Sequence, residues 1–155
     1  MKNYRDIIDE IETITSQHVE LQRFISGPLS EVDFQKLEQD AFPFCYAECT
    51  SADIERGAIT FSFDITVATL INDDLTDRKD AYDSTLFQLR DVINALLHSA
   101  YSTGVAALID NRIDLQLPLT CTPFTARFEN DLTGWSATVD IVLDNDNNLC
   151  IAPFA

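Results

Sequence analysis

The C-terminal third of the chain alternates apolar and polar residues with few interruptions. Ile113, Leu115, Leu117 and Leu119 form one run, Phe124, Ala126 and Phe128 a second, and Trp135, Ala137, Val139, Ile141 and Leu143 a third. A period of two sends successive side chains to opposite sides of an extended backbone, so these runs predict half-buried antiparallel strands. The intervening Asp114, Gln116, Thr125, Arg127, Glu129, Ser136, Thr138 and Asp140 would face water. The signal is clearest from Ala58 to Leu70, where Ile59, Phe61, Phe63, Ile65 and Val67 alternate with Thr60, Ser62, Asp64 and Thr66. Such a strand spans roughly 40 Å at about 3.3 Å per residue, enough to project past its sheet or to pair along its whole length.

Helical spacing governs other stretches. Ile7, Ile11, Ile14, His18, Leu21 and Ile25 recur three or four apart and predict one helix. Asn3 is its expected N-cap, Asp6, Asp9 and Glu10 suit the positive end of its dipole, and Gly27–Pro28 its stop. A short second helix is expected from Ser30, with Asp33 in a capping-box-like position, ending before Pro43. Phe44 to Thr50 reads as a strand, and Ser51 to Gly57 as a polar connection. Asn72 to Asp80 reads as a polar loop. A long helix then runs from about Ala81 to Thr103, with Tyr82, Leu86, Leu89, Ile93, Leu96 and Ala100 inward, ending near Gly104. A turn at Asp144 to Asn148 leads to a last short strand, Leu149 to Ile151. The order α-(α)-β-β-α-β-β-β predicts an α+β fold: an antiparallel β-sheet with two long helices packed on one face, in a single domain spanning residues 1–155.

Composition narrows the function. Hydrophobic residues make up 46% of the chain, including ten Phe, which excludes a disordered protein. Ten Lys plus Arg against 26 Asp plus Glu give a formal net charge of −16. A surface so acidic repels phosphate, because counterion release needs cations that are scarce here, and sequence-specific DNA binding is not expected. An acidic wall past which DNA slides without sticking stays open. No run reaches the roughly 20 apolar residues of a membrane helix, and the charged N-terminus is not expected to be a signal peptide. Cys45 and Cys49 are spaced loosely enough for zinc, but Cys121 and Cys150 are isolated, so reduced thiols acting as small hydrophobes are expected.

Candidate chemistry is sparse. Asp73, Asp74, Asp77, Asp80 and Asp83 crowd the start of the long helix, but lack the alternate-residue ligands and central Gly of a calcium loop. The helix dipole accounts for them. Asp144, Asp146 and Asn148 occupy the first three ligand positions of such a loop, yet Leu149 stands where Gly is needed and Ala155 where Glu is needed. His18 and His98 have no Ser or Cys context resembling a nucleophile elbow, and four Gly leave little room for a phosphate loop. No catalytic residue, cofactor or metal is therefore expected. Trp135, inward by alternation, reads as a core aromatic in preference to an interface anchor.

One longer pattern carries more. Pro123-Phe124-Thr125-x-Arg127-Phe128-x-Asn130-x-Leu132-x-Gly134-Trp135, then an alternating strand and Cys150-Ile151-Ala152-Pro153, resembles the tail-terminator and tail-completion-like neck proteins of tailed bacteriophages. The nearest likeness is to the ring proteins of crAss-like and related phages of Bacteroidetes. The N-terminal helix with His18, then Phe24 and Gly27, then Phe61-x-Phe63-Asp64-Ile65-x-Val67, Asp73-Asp74, Asp83-Ser84-Thr85-Leu86 and Asp91-Val92-Ile93 extend it over nearly the whole chain. Leu75-Thr76-Asp77-Arg78 departs from the family's pattern after the acidic loop.

The resemblance implies a non-catalytic virion protein that forms a hexameric or dodecameric ring with itself at the neck or tail junction. It also implies contacts with other phage neck or tail proteins, and genomic DNA passing through without specific binding. Localisation would be the virion, and the host cytoplasm during assembly. The alternative is a soluble accessory protein, an assembly chaperone or inhibitor that binds a basic partner. Two polar segments that core packing does not explain are the expected contacts: Asp73, Asp74, Asp77 and Arg78 in the acidic loop, and Asn130, Asp131 and Leu132 in a hairpin turn ending at Gly134.

Overall fold

A computed structural model of the protein describes residues 3–28, 41–71, 76–102, 114–115, 117–127 and 131–145. The elements are α1 (Tyr4–Gln17), β1 (Arg23–Ser26), β2 (Phe44–Glu55), β3 (Ala58–Leu70), α2 (Arg78–Ser102), β4 (Asp114–Leu115), β5 (Cys121–Arg127) and β6 (Asp131–Asp144). This is a mixed α+β fold. The strands lie in the order β1-β2-β3-β6, and β4 and β5 follow one another along the far flank of β6. Every pairing is antiparallel except β1 with β2, which is parallel. The sheet is therefore mixed rather than purely antiparallel.

Alternation in β3 and β6 fixes their register, because a slip of one residue would turn every apolar side chain to the wrong face. Ile59, Phe61, Phe63, Ile65 and Val67 stand opposite Leu143, Ile141, Val139, Ala137 and Trp135, all on the side that carries the helices. Cys45 and Ala47 of β2 extend that face, and Ile7, Ile11 and Ile14 of α1 and Leu89, Val92, Ile93 and Leu96 of α2 close over it. Each such aliphatic side chain gives about 1.5–3 kcal/mol by leaving water.

Four expectations are corrected. The first helix stops at Gln17, and residues 23–26 are β1. Asn3 and Asp6 do form the capping box at its start, but His18 ends it in extended geometry. Phe24 can then join the core from a strand, and the later apolar residues that continue the helical spacing are used with a period of two. Gly27, at φ +121, ends β1 and not the helix. Second, Ser51 to Glu55 continue β2 instead of forming a connection, so the β2–β3 turn is only Arg56-Gly57. A bulge at Thr50 accommodates the change of parity between Cys49 and Ser51.

Third, α2 begins at Arg78 and is rotated from the expected face. Ala81, Thr85, Gln88, Leu89, Val92, Ile93 and Leu96 are buried, whereas Tyr82 and Leu86 are half-buried. Thr85 tolerates burial because its hydroxyl donates to the Ala81 carbonyl at 2.6 Å. Fourth, among the described residues of the run from Ile113 to Leu119, Asp114–Leu115 are strand and residues 117–119 are not. Pro118, which has no N–H for the ladder, falls in the interruption before β5. The expected helix after Ser30, the run from Gly104 to Ile109 and the terminal strand Leu149 to Ile151 lie outside the described residues.

Candidate functional site

The start of α2 and the β5–β6 pair meet at one end of the sheet, the end reached by the C-terminus of β3. Asp77 supplies the backbone carbonyl that accepts from Ala81 N–H and so opens α2. One turn later the Tyr82 hydroxyl lies 2.7 Å from Thr125 Oγ1, which is 3.2 Å from Thr133 Oγ1. The Thr133 hydroxyl donates to the Phe124 carbonyl at 2.9 Å. Hydroxyls can run in one direction along this line, each accepting from one neighbour and donating to the next. Trp135 Nε1–H closes the seam by donating to the Tyr82 carbonyl at 2.9 Å, its indole set edge-on to the Tyr82 ring. The Tyr82 phenol titrates below its ordinary value, because the Thr125 hydroxyl hydrogen-bonds to the phenolate form.

This arrangement inverts the expected parity of β5. Thr125 faces the helices and Phe124 the opposite side, where it packs with Phe44, Tyr46 and Ala68. Two features made that possible: hydrogen bonds satisfy Thr125, and the far face has a small apolar cluster of its own. Trp135 is the expected core aromatic, packed on the core and tied by its N–H.

The described parts of the two expected contact segments lie at this end. Arg78, Lys79 and Asp80 are exposed on the first turn of α2, and Asp77 is half-buried. Asp131 pairs with Arg127 at the first position of β6, so residues 131–134 are strand and not turn. Leu132 is only 3% exposed and pairs with Leu70 and Ala126, which places it inside the sheet instead of at a contact surface. Asp73, Asp74 and Asn130 lie outside the described residues.

Three features were not anticipated. The sheet face away from the helices carries carboxylates held by hydroxyls: Ser62 donates to Asp140 at 2.6 Å and Thr138 to Asp64 at 2.8 Å. A clasp joins the end of α1 to α2, with Glu20 N–H donating to His18 Nδ1 at 3.1 Å and His18 Nε2 3.4 Å from Asp91. Gln88 Nε2 donates to Glu20 at 3.0 Å, and its buried Oε1 has no partner among the described residues. Finally, residues 51–57 of the β2–β3 hairpin are all exposed, including Ile54 at 76%. Alternation from Ser51 to Glu55 was a signal for the longer strand, hidden by the bulge that breaks its phase.

Among the described residues no group of three or more His, Cys, Asp or Glu side chains is placed to hold a metal ion, and no helix is long and apolar enough to cross a membrane. No protein-family model matches the chain, and no curated protein sequence matches it.

Proposed function

We propose that this protein is a non-catalytic structural subunit that assembles with copies of itself into a ring, of the tail-terminator or connector type, at the neck or tail junction of a phage virion. The observation that carries the reading is the hydrogen-bonded seam Tyr82–Thr125–Thr133 with Trp135, which fixes two distant parts of the chain into one stiff end. A subunit that repeats one interface around a closed ring needs such a surface, since each contact must hold the same angle. Exposed Arg78 and Lys79 give that end cations, which an acidic neighbouring copy at formal charge −16 would require. The sequence resemblance supplies the ring and its place in the particle, and the acid-and-hydroxyl face of the sheet suits a channel wall that does not retain DNA.

Light scattering on the purified protein at low and high salt tests the reading. A discrete hexamer or dodecamer, weakened by the double substitution Arg78→Glu and Lys79→Glu, is expected. A monomer at every salt, together with absence of the protein from purified virions, would overturn it in favour of an accessory protein.

A further inference from the structure

The β2 strand is paired unequally on its two sides. Towards β3 its ladder runs from Phe44 to Glu55, but β1 covers only Phe44 to Ala47 on the other side. Among the described residues Gly27, at φ +121, makes the last contact, its N–H donating to the Ala47 carbonyl. Beyond the bulge, Ser51 to Glu55 remain a regular strand whose outer edge has no strand partner among the described residues. The edge is not loose. Asn145 N–H donates to the Gly57 carbonyl at 3.1 Å and its side-chain amide to the Glu55 carbonyl at 2.9 Å, fastening the hairpin tip to the end of β6.

Exposed edges are usually blunted by charged side chains, above all lysine, by proline or by a bulge inside the exposed run. Ser51 to Glu55 hold no lysine, proline or bulge, and the charges they carry, Asp53 and Glu55, are both acidic. Their side chains alternate instead: Ser51, Asp53 and Glu55 on the face away from the helices, Ala52 and exposed Ile54 on the other. Behind Asp53 and Glu55 the same face carries Glu48, Asp64 and Asp140. Pairing of this edge with itself in a second copy would bring carboxylates into one cross-strand cluster, which is destabilising.

We propose that the Ser51–Glu55 edge receives an extended cationic segment of a different protein as an added strand. Its pattern is Lys or Arg, then an apolar residue, then Lys or Arg. The two cations stand opposite Asp53 and Glu55, and the apolar residue covers Ile54. Backbone hydrogen bonds give the affinity and the alternate side chains the selectivity. The fixed hairpin tip lowers the ordering cost on this side of the complex. This surface is separate from the seam at the start of α2 and does not depend on ring assembly.

The test uses the full chain and a fluorescein-labelled eight-residue peptide alternating Lys and Val, read by fluorescence anisotropy at moderate salt, with amide exchange followed at Ala52 to Glu55. The expected result is binding with slowed exchange at those amides. Asp53→Lys with Glu55→Lys should weaken it by about tenfold or more, and Ile54→Asp by a smaller factor. Charge reversal of exposed Asp9 and Glu12 on α1 should leave affinity within about twofold, since screening confines the effect to nearby charges. No binding would overturn the proposal. So would equal binding of a peptide of the same charge whose alternate residues are proline, or equal weakening by the α1 reversals, because either would mean diffuse attraction to an acidic protein.

Discussion

The indole N–H of Trp135 donates to the main-chain carbonyl of Tyr82 at 2.9 Å, joining β6 to the first turns of α2. The bond is to the backbone, so it survives loss of the Tyr82 side chain. Trp135→Phe keeps most of the packing but removes the donor, and should lower stability by about 1–2 kcal/mol in urea titration. Tyr82→Phe removes the hydroxyl link to Thr125 and should cost about 1 kcal/mol or less, with native emission of the chain's single Trp nearly unchanged. A large emission shift in Tyr82→Phe would show that the seam, and not the indole bond, positions Trp135.

Gly134 sits opposite both Ala68 and Phe124. A Cβ built there meets the backbone, lying 2.8 Å from the Ala68 Cα and closer still to the Val67 carbonyl oxygen. Neither can retreat without breaking the β3–β6 ladder. Gly134→Ala should therefore destabilise by upwards of about 2 kcal/mol, a loss seen in the urea midpoint, even though alanine is ordinarily tolerated in a strand.

Burial pushes the Cys45 thiol up from 9.0 to about 12. Burial, followed by the nearby Glu48 carboxylate, raises the Tyr46 phenol from 10.0 to about 12. The Tyr46 hydroxyl donates to the Gly27 carbonyl and must stay protonated to do so. Both groups keep their protons in the folded chain after the unfolded chain has lost them. Their contribution is full below about pH 9 and is lost as pH rises towards about 12. Thermal midpoints should fall across that window, and Cys45→Ala should flatten the early part of the decline. A flat profile between pH 9 and 11 would refute the assignment.

The same burial orders thiol reactivity. Cys45 is fully buried, while Cys49 and Cys121 are partly exposed. Site-resolved alkylation by mass spectrometry should modify Cys49 and Cys121 well before Cys45, since only opening of the core exposes the latter.

Gln88 is 5% exposed, and its Oε1 has no donor within reach among the described residues. Gln88→Met replaces an unsatisfied acceptor with a flexible apolar side chain and returns exposed Glu20 to water. Stability should be unchanged or raised by up to about 1 kcal/mol. A loss of more than about 1 kcal/mol in the melting curve would show that the Gln88–Glu20 bond matters more than the orphaned oxygen.

Much of this was legible in local pattern. The bounds of β3, the inward set of β6, the cap at Asn3 and the core character of Trp135 all follow from periodicity and side-chain chemistry that act within a few residues. The charge of −16 is likewise a property of composition alone. Other features depended on neighbours far along the chain. Residues 23–26 carry a helical spacing, yet β2 offers them a parallel ladder, and backbone pairing with Phe24 in the core outweighs propensity. Thr125 faces inward only because Tyr82 and Thr133 satisfy it there, and Phe124 faces outward only because Phe44, Tyr46 and Ala68 await it. Among the described residues, the outer edge of Ser51 to Glu55 is open because β1 pairs only as far as Ala47. Sequence alone determined the amphipathic helices, the long alternating strands β3 and β6 and the acidity of the chain, because those depend on each residue and its near neighbours. Tertiary structure decided the parallel strand and the seam, because each rests on hydrogen bonds between residues that only folding brings side by side.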